Sequence, residues 1–258
     1  MHLYQTSHLN FSFNKSYNMN FIPHLHKEIE IIYVVNGAFT LLSNFQLYHL
    51  QAGDFFIAFP NTIHEYIDNN ECTCLIWIFD ASILPDYSST FRKKMPLYPV
   101  LKANQVTLDI HYALDAFQNR SGLQTESTLS KTLLSLLLHD LLDGLSLQDI
   151  GVLENYEWLM KLLIYLGEHM QDELSLDMIS EEIGISKYHL SRTFKARTGY
   201  SIPTYINTVR VTQAMELLKH SDQTITEIAF SCGFESMTTF FRAFKQITGK
   251  SPKQFKTD

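Results

Sequence analysis

The stretch 183–255 constrains this chain most, because it states one pattern twice, about fifty positions apart. The first copy runs Gly184-Ile185-Ser186, Leu190-Ser191-Arg192-Thr193-Phe194-Lys195, then Thr198-Gly199 and Ser201. The second runs Gly233-Phe234-Glu235, Phe240-Phe241-Arg242-Ala243-Phe244-Lys245, then Thr248-Gly249 and Ser251. Self-similarity at a fixed offset means one supersecondary unit used twice.

Each copy reads as helix, tight turn, helix. Ser175 caps a short helix carrying Leu176, Ile179 and Ile183, Gly184 makes the turn, and Ser186 caps a second helix that buries Leu190 and Phe194. In the second copy Thr224 and Glu227 form a T-x-x-E capping box, with Ile225, Ile228 and Ala229 inward. After the Gly233 turn, Phe240, Phe244 and Ile247 recur at i, i+4 and i+7 and should hold that helix down. Tyr188, Ser191 and Arg192 remain on the free face of one helix, and Thr238, Thr239 and Arg242 on the other. Short polar groups beside an arginine suit base edges and phosphates in a major groove. An arginine on a solvated helix face is more often merely soluble, and only the matched pair of units tips the reading toward DNA. The segment 203–218, with Pro203 near its first turn and Tyr205, Ile206, Val209, Ala214, Leu217 and Leu218 along it, reads as a rigid helix setting the distance between the units. On one face of a duplex the two second helices would stand about 34 Å apart.

These residues carry a family resemblance. Ile183-Gly184-Ile185-Ser186, Leu190-Ser191-Arg192 and Phe194-Lys195, followed by Ile225-Thr226-Glu227-Ile228-Ala229, Cys232-Gly233-Phe234, Phe240, Phe241, Arg242, Phe244-Lys245 and Gly249-Lys250-Ser251-Pro252, closely resemble the DNA-binding domain of the AraC/XylS family of bacterial transcription regulators. The resemblance covers roughly the last hundred residues. It implies base-reading positions at Tyr188, Ser191 and Arg192 and at Met237, Thr238, Thr239 and Arg242, with Lys187, Lys195, Ser236 and Lys245 completing the DNA-binding set. Ser191 and Met237 stand where some relatives carry longer hydrogen-bonding side chains, which bears on base preference.

The net charge of −7 looks wrong for a nucleic-acid binder until it is divided along the chain. Residues 1–154 hold 8 Lys/Arg against 15 Asp/Glu, whereas residues 186–258 hold 11 against 5, so the back segment is basic, as phosphate binding requires. With 45% hydrophobic and 18% charged residues the composition is that of a globular chain, which excludes disorder. Three cysteines do not make a disulfide framework, and the Cys72-x-Cys74 pair lacks a partner pair for zinc, so both read as strand residues. No basic-then-apolar leader opens the sequence, and its longest apolar run, 133–142, is broken by Ser135, His139 and Asp140. Cytoplasmic localisation without a membrane span is therefore expected.

Residues 1–22 alternate polar and aromatic side chains, and read either as an edge strand or as a mobile arm. Short strands are then expected over 29–35, 39–42, 46–50, 55–59, 65–67 and 74–79, with turns at Asn36-Gly37 and Ala52-Gly53-Asp54. Many short, evenly spaced strands argue a small barrel or jelly roll. Within them, His24-x-His26-x3-Glu30-x6-Gly37 followed by Gly53-x5-Phe59-Pro60-x3-His64 is similar to the two cupin motifs, lacking the usual glycine after Pro60 and shortening the last spacing by one residue. In metal-dependent cupins these positions are the ligands. Regulator cupins commonly bind no metal, so no metal and no cofactor is expected; if one binds, His24, His26, Glu30 and His64 would hold it. A small-molecule pocket is the favoured use of the barrel, with His24, His26, Glu30, Tyr33, Phe59, His64 and Tyr66 as candidate effector residues. Phe55 and Trp77 join Tyr33, Phe59 and Tyr66 as inward aromatics that either stack on a sugar or aromatic effector or simply fill the barrel.

From 106 the pattern turns helical, in two stretches separated by Ser121-Gly122. The second, 129–145, is apolar nearly all round and needs cover on two sides, from its own barrel and from either the same chain or a second subunit; the resemblance tilts this toward a homodimer. A linker is expected over 147–155, and 156–169 reads as the first helix of the last domain, with Trp158, Leu159, Leu162, Leu163 and Leu166 inward.

The expected fold is thus α+β in two domains: a cupin-like β-barrel with trailing helices over 1–146, and an all-α domain of two helix-turn-helix units over 156–258. The expected function is an effector-responsive transcription regulator acting on double-stranded promoter DNA, with a small-molecule effector in the barrel, a sugar among the candidates, and RNA polymerase as partner if it activates. The competing reading is a metal-dependent cupin enzyme fused to a DNA-binding tail, which needs a bound ion with open coordination sites. A third makes the front half only a dimerising or protein-binding module, and a closed barrel interior with no room for a ligand would favour it.

Overall fold

The computed structural model describes residues 10–17, 21–44, 46–67, 72–120, 123, 126–150 and 157–257, so the Ser121-Gly122 break, Tyr156 and most of the expected linker lie outside the described residues. The chain divides into two compact units, with the division after residue 154.

The front unit begins with eight strands: β1 (Phe11–Tyr17), β2 (Phe21–His24), β3 (Ile29–Asn36), β4 (Ala38–Ser43), β5 (Gln46–Gln51), β6 (Phe55–Ala58), β7 (His64–Ile67) and β8 (Thr73–Phe79). There follow α1 (Ser88–Lys93), β9 (Lys94–Pro96), β10 (Val100–Leu101), α2 (Leu108–Asn119), α3 (Thr128–Gly144) and β11 (Leu147–Asp149). One sheet has the order β1-β8-β3-β6-β10 and the other β2-β7-β4-β5, with every described pairing antiparallel. The barrel expectation resolves into two packed sheets, a jelly-roll form. Residues 11–17 are an edge strand on β8. Cys74 lies in β8 and Cys72 just before it, both as free, buried thiols. β11 pairs with β9, so the segment read as a linker opens with a strand of the front unit.

β3 shows why the sheets pack as they do. Consecutive residues of β3, Ile29 to Ile32, are buried whichever way they point, because both faces of this strand are covered there. Ile29 and Ile31 join Phe55, Ile57, Leu75 and Trp77 against Ile110, Leu114 and Phe117 of α2 and Leu134, Leu137, Leu138 and Leu141 of α3. Glu30, Ile32 and Val34 alternate to the opposite face, toward the four-stranded sheet. That second sheet alternates more openly: in β4, Phe39, Leu41 and Ser43 are buried while Thr40 and Leu42 are half-exposed. The leucine-rich α3 is covered mainly by its own domain, since Leu133, Leu136 and Leu142 are also packed on the sheet–helix core.

The second unit is helical: α4 (Glu157–Glu168), α5 (Leu176–Ile183), α6 (Lys187–Thr198), α7 (Ile202–His220), α8 (Ile225–Ser231), α9 (Met237–Thr248) and α10 (Pro252–Thr257). In α4, Leu159, Leu162, Leu163 and Leu166 are buried and Trp158 is half-buried. α7 carries both repeats. Its first half meets α6 through an edge-on contact of Tyr205 and Phe194, ring centres 5.4 Å apart, and its second half puts Val211, Ala214 and Leu218 into a core with Ile228, Ala229, Phe234, Phe240 and Phe244. Ile247, expected to hold α9 down, is exposed instead; Phe240, Ala243 and Phe244 do that work. Among the described residues no helix is long and apolar enough to cross a membrane.

Candidate functional site

The two second helices are built alike. Ser186 and Ser236 cap α6 and α9 by accepting from the backbone N–H three residues on, at 3.5 and 3.2 Å. Thr198 Oγ1 and Thr248 Oγ1 donate to the carbonyls of Phe194 and Phe244 at 2.9 and 2.8 Å, closing the last turn of each. Leu190 and Phe194 anchor α6, as Phe240 and Phe244 anchor α9, so the helical period turns a fixed set of positions outward. Tyr188, Arg192 and Lys195 are exposed in one stripe, and Thr238, Arg242 and Lys245 occupy the equivalent stripe of the other. Ser191 is half-buried, as are Ser236, Met237 and Thr239, and Ser236 and Thr239 also bond each other through their hydroxyls at 3.0 Å. Lys187 pairs with Asp177 on α5. The expected DNA-facing side chains are thus brought together on two matched helices, with Lys187 already holding an acidic partner.

Arg210 is a structural residue that the sequence reading passed over. Its Nε donates to Met170 O at 2.9 Å and its guanidinium also donates to Asp172 O at 2.7 Å, while its Cζ lies 5.9 Å from the centre of the Phe234 ring. It therefore ties the segment after α4 to the turn between α8 and α9. The available signal was its position, four residues after Ile206 and four before Ala214, a charge set in an apolar stripe.

In the front unit the structure gathers His24, His26, Glu30 and His64, whose candidate ligand atoms all lie within 4.8 Å of one another. His24 on β2 stands opposite His64 on β7 in the strand register, Glu30 comes from β3 in the other sheet, and His26 sits between. Asn61 takes a left-handed conformation, φ 61°, where the cupin pattern has glycine, and its N–H donates to His26 O at 2.7 Å. His26 Nε2 and His64 Nε2 lie 3.0 and 3.1 Å from the same Glu30 Oε2, and the Tyr66 hydroxyl donates to Glu30 Oε1 at 2.7 Å. Burial, with His64 alongside, holds His24 well below the usual histidine pKa, hence neutral. At His26 burial works against charge, but the hydrogen bond and charge of Glu30 outweigh it and raise the pKa. Burial would raise Glu30 too, yet the bonds from His26 and His64 keep it well below the carboxylate range. Burial and the Glu30 charge push the Tyr66 phenol well above its ordinary value.

Tyr33 and Phe59 do not join this cluster. With Phe55 and Trp77 they lie on the other face of the five-stranded sheet, in the core beneath α2 and α3, so of the aromatics expected inside the sandwich only Tyr66 is there. A separate cavity of about 240 Å³ lies at one end of the sandwich. Ser43, Asn44, Gln46, Tyr48, Thr62 and Gln148 supply its polar lining, and among the described residues no charged one lines it.

A cavity-bearing jelly roll joined to tandem helix-turn-helix units is the architecture of a one-component regulator, in which one polypeptide both senses a small molecule and grips DNA. The comparisons agree. The AraC-like ligand binding domain model matches residues 11–142 and a helix-turn-helix domain model matches residues 179–258. The HTH-type transcriptional activator RhaS of Salmonella arizonae is 27% identical over 246 residues, covering 92% of this chain and 87% of that one. RhaS of Salmonella typhimurium is 28% identical with the same coverage. The crystal structure of ToxT from Vibrio cholerae O395 superposes with a TM-score of 0.55 at 14% identity, covering 96% of this chain and 97% of that one, a likeness of fold. This chain belongs to the AraC family of transcription regulators. It is an effector-responsive DNA-binding regulator and not an enzyme.

Proposed function

We propose that Lys187, Tyr188, Ser191, Arg192 and Lys195 of α6, and Ser236, Met237, Thr238, Thr239, Arg242 and Lys245 at α9, carry the DNA contacts. Arg192 and Arg242 read base edges, and Lys195 and Lys245 hold phosphates. The observation that supports this is the pair of equivalent exposed stripes, Tyr188-Arg192-Lys195 and Thr238-Arg242-Lys245, on helices capped and anchored in the same way. Lys187 exchanges Asp177 for a phosphate on binding, a cheap exchange for an exposed ion pair.

The effector is a small, neutral, hydroxyl-rich molecule of the sugar type, seated in the front-unit cavity. Hydroxyls and amides without a charged group suit that chemistry. The regulator works as a homodimer through α2 and α3, where Leu108, Tyr112 and Leu129 are exposed apolar side chains on helices that trail the sandwich. RhaS is named a transcriptional activator, and the same sense of action, with RNA polymerase as partner in the cytoplasm, is carried over to this chain. Effector binding needs only to favour the DNA-competent arrangement by about 1–3 kcal/mol to switch it.

The test is selection of bound sequences from random duplex DNA by the purified full-length protein, followed by fluorescence anisotropy across a salt series. A recurrent motif with two contacted segments, bound with steep salt dependence, is expected. Recovery of no motif, with and without a panel of sugars, would overturn the reading.

A further inference from the structure

One large side chain of α9 takes no part in the folding of its unit. Phe241 is 45% exposed, and the core around Val211, Ala214, Phe234, Phe240 and Phe244 closes without it. Its neighbours on the helix surface are the stripe of Thr238, Arg242 and Lys245. At about 100° per residue, steps of three and four positions bring a helix back to the same side, so Phe241 lies within about 60° of both Thr238 and Lys245. Ile247, also exposed, falls on the side opposite Thr238.

The repeat says what that place is for. Ser186 and Ser236, Leu190 and Phe240, Arg192 and Arg242, Phe194 and Phe244, and Lys195 and Lys245 match at a constant offset, which sets Phe241 in the place of Ser191. Ser191 stands among the candidate base-contacting positions of α6, and a serine hydroxyl both donates and accepts, so it suits more than one base. A phenyl ring does neither. In the major groove the apolar feature that marks a base pair is the C5-methyl of thymine. The ring is also held ready: its centre lies 5.7 Å from that of Phe240, a fully buried anchor, so less freedom is lost when it meets a partner.

Resting on the assignment of this stripe to DNA, we propose that Phe241 reads thymine, its ring lying against the C5-methyl of one thymine in the stretch of operator bound by the second unit. The two units share their arginine and lysine chemistry and part here: α6 accepts several bases through Ser191, and α9 selects a T·A pair by shape. The gain is that of one buried methyl and part of a ring face, so discrimination against the other pairs is about three- to tenfold.

The experiment uses the full-length protein and the duplex it selects, with each thymine replaced in turn by deoxyuridine, which keeps the base pair and removes only the methyl. Fluorescence anisotropy at fixed salt compares the parent with Phe241→Ser and with Phe241→Leu, which keeps an apolar side chain, after circular dichroism has shown both variants folded. At one thymine, uracil is expected to weaken the parent by about three- to tenfold, to leave Phe241→Ser unchanged and to weaken Phe241→Leu by an intermediate factor. A general loss of stability cannot imitate that coupling to a single methyl. Equal uracil penalties for parent and Phe241→Ser at every thymine overturn the proposal. So do variants that bind every duplex as the parent does but fail to regulate transcription in vitro, which would set the ring against a protein. A motif that Arg242→Ala weakens, with no coupling between uracil and Phe241, sinks this assignment alone, whereas failure to select any motif sinks the promoter reading together with it.

Discussion

The two helix-turn-helix units share a plan and differ in how tightly each is fixed. In the first, Gly184 turns the chain in open space, with nothing near where a Cβ would stand, and Ser175 caps α5 without a reciprocal partner. In the second, a Cβ on Gly233 would stand 2.6 Å from Met170 O and 3.0 Å from Arg210 Nε, and Thr224 and Glu227 cap α8 reciprocally. Both glycines adopt positive φ, at 73° and 85°, so backbone conformation alone does not separate them. What separates them is packing. The second turn is a joint where three segments meet, and the first is a free bend, which teaches that a duplicated sequence need not carry duplicated energetics.

The largest contrast should come from the turns themselves. Gly184→Ala faces only the left-handed backbone penalty, about 1 kcal/mol. Gly233→Ala faces the same penalty plus overlap with backbone atoms that cannot swing aside, for a total of about 3–4 kcal/mol. Chemical denaturation followed by far-ultraviolet circular dichroism checks this, and equal losses would show the joint to be looser than its geometry. Arg210→Met comes next. It keeps the aliphatic stem but leaves the Met170 and Asp172 carbonyls without their charged donor, at a cost of about 2–3 kcal/mol. Since Arg210 lines the space beside Gly233, the double substitution should lose less than the sum of the singles. Strict additivity would mean that the two act separately.

On DNA the arginines of the two units should differ in position and not in kind. Arg192→Ala and Arg242→Ala are each expected to weaken binding to the selected sequence by about 1–3 kcal/mol and to relax preference at separate base positions. If instead both substitutions weaken binding evenly on every sequence, these arginines hold phosphates, and base reading falls to the threonines and Tyr188.

The same contrast between local and non-local order explains what was legible in the sequence. Caps, turns and the repeated Leu/Phe anchors lie within a few residues of one another, so the helical unit could be read almost element by element. The histidine cluster was legible because its spacing forms a motif, although its members come from both sheets. Tyr33 and Phe59 were misplaced for a physical reason: both faces of β3 and its neighbours are covered, so apolar residues on the two faces look alike and the period of two cannot say which face lies inside the sandwich. β9, β10 and β11 have two or three residues each, too few to show any period, and so the strand opening at Leu147 passed for a linker. The cavity residues run from Ser43 to Gln148 and share no local signature.

The smallest expected difference concerns acid. The Thr224 backbone N–H and hydroxyl donate to Glu227 Oε2, both at 2.8 Å, and these bonds lower the carboxyl's pKa below its ordinary value. The first unit has Met178 at the matching place after Ser175, so it has no such group. A depressed folded-state pKa gives stability that is present above the unfolded-state value and is lost as pH falls through the folded-state one. Glu227→Gln keeps an acceptor but removes the charge. The variant should therefore be slightly less stable than the parent near neutral pH, with the gap closing as both are taken below about pH 4. A gap that keeps its size down to about pH 3 would show that the side chain acts by shape alone, and the second unit's cap would then owe nothing to charge.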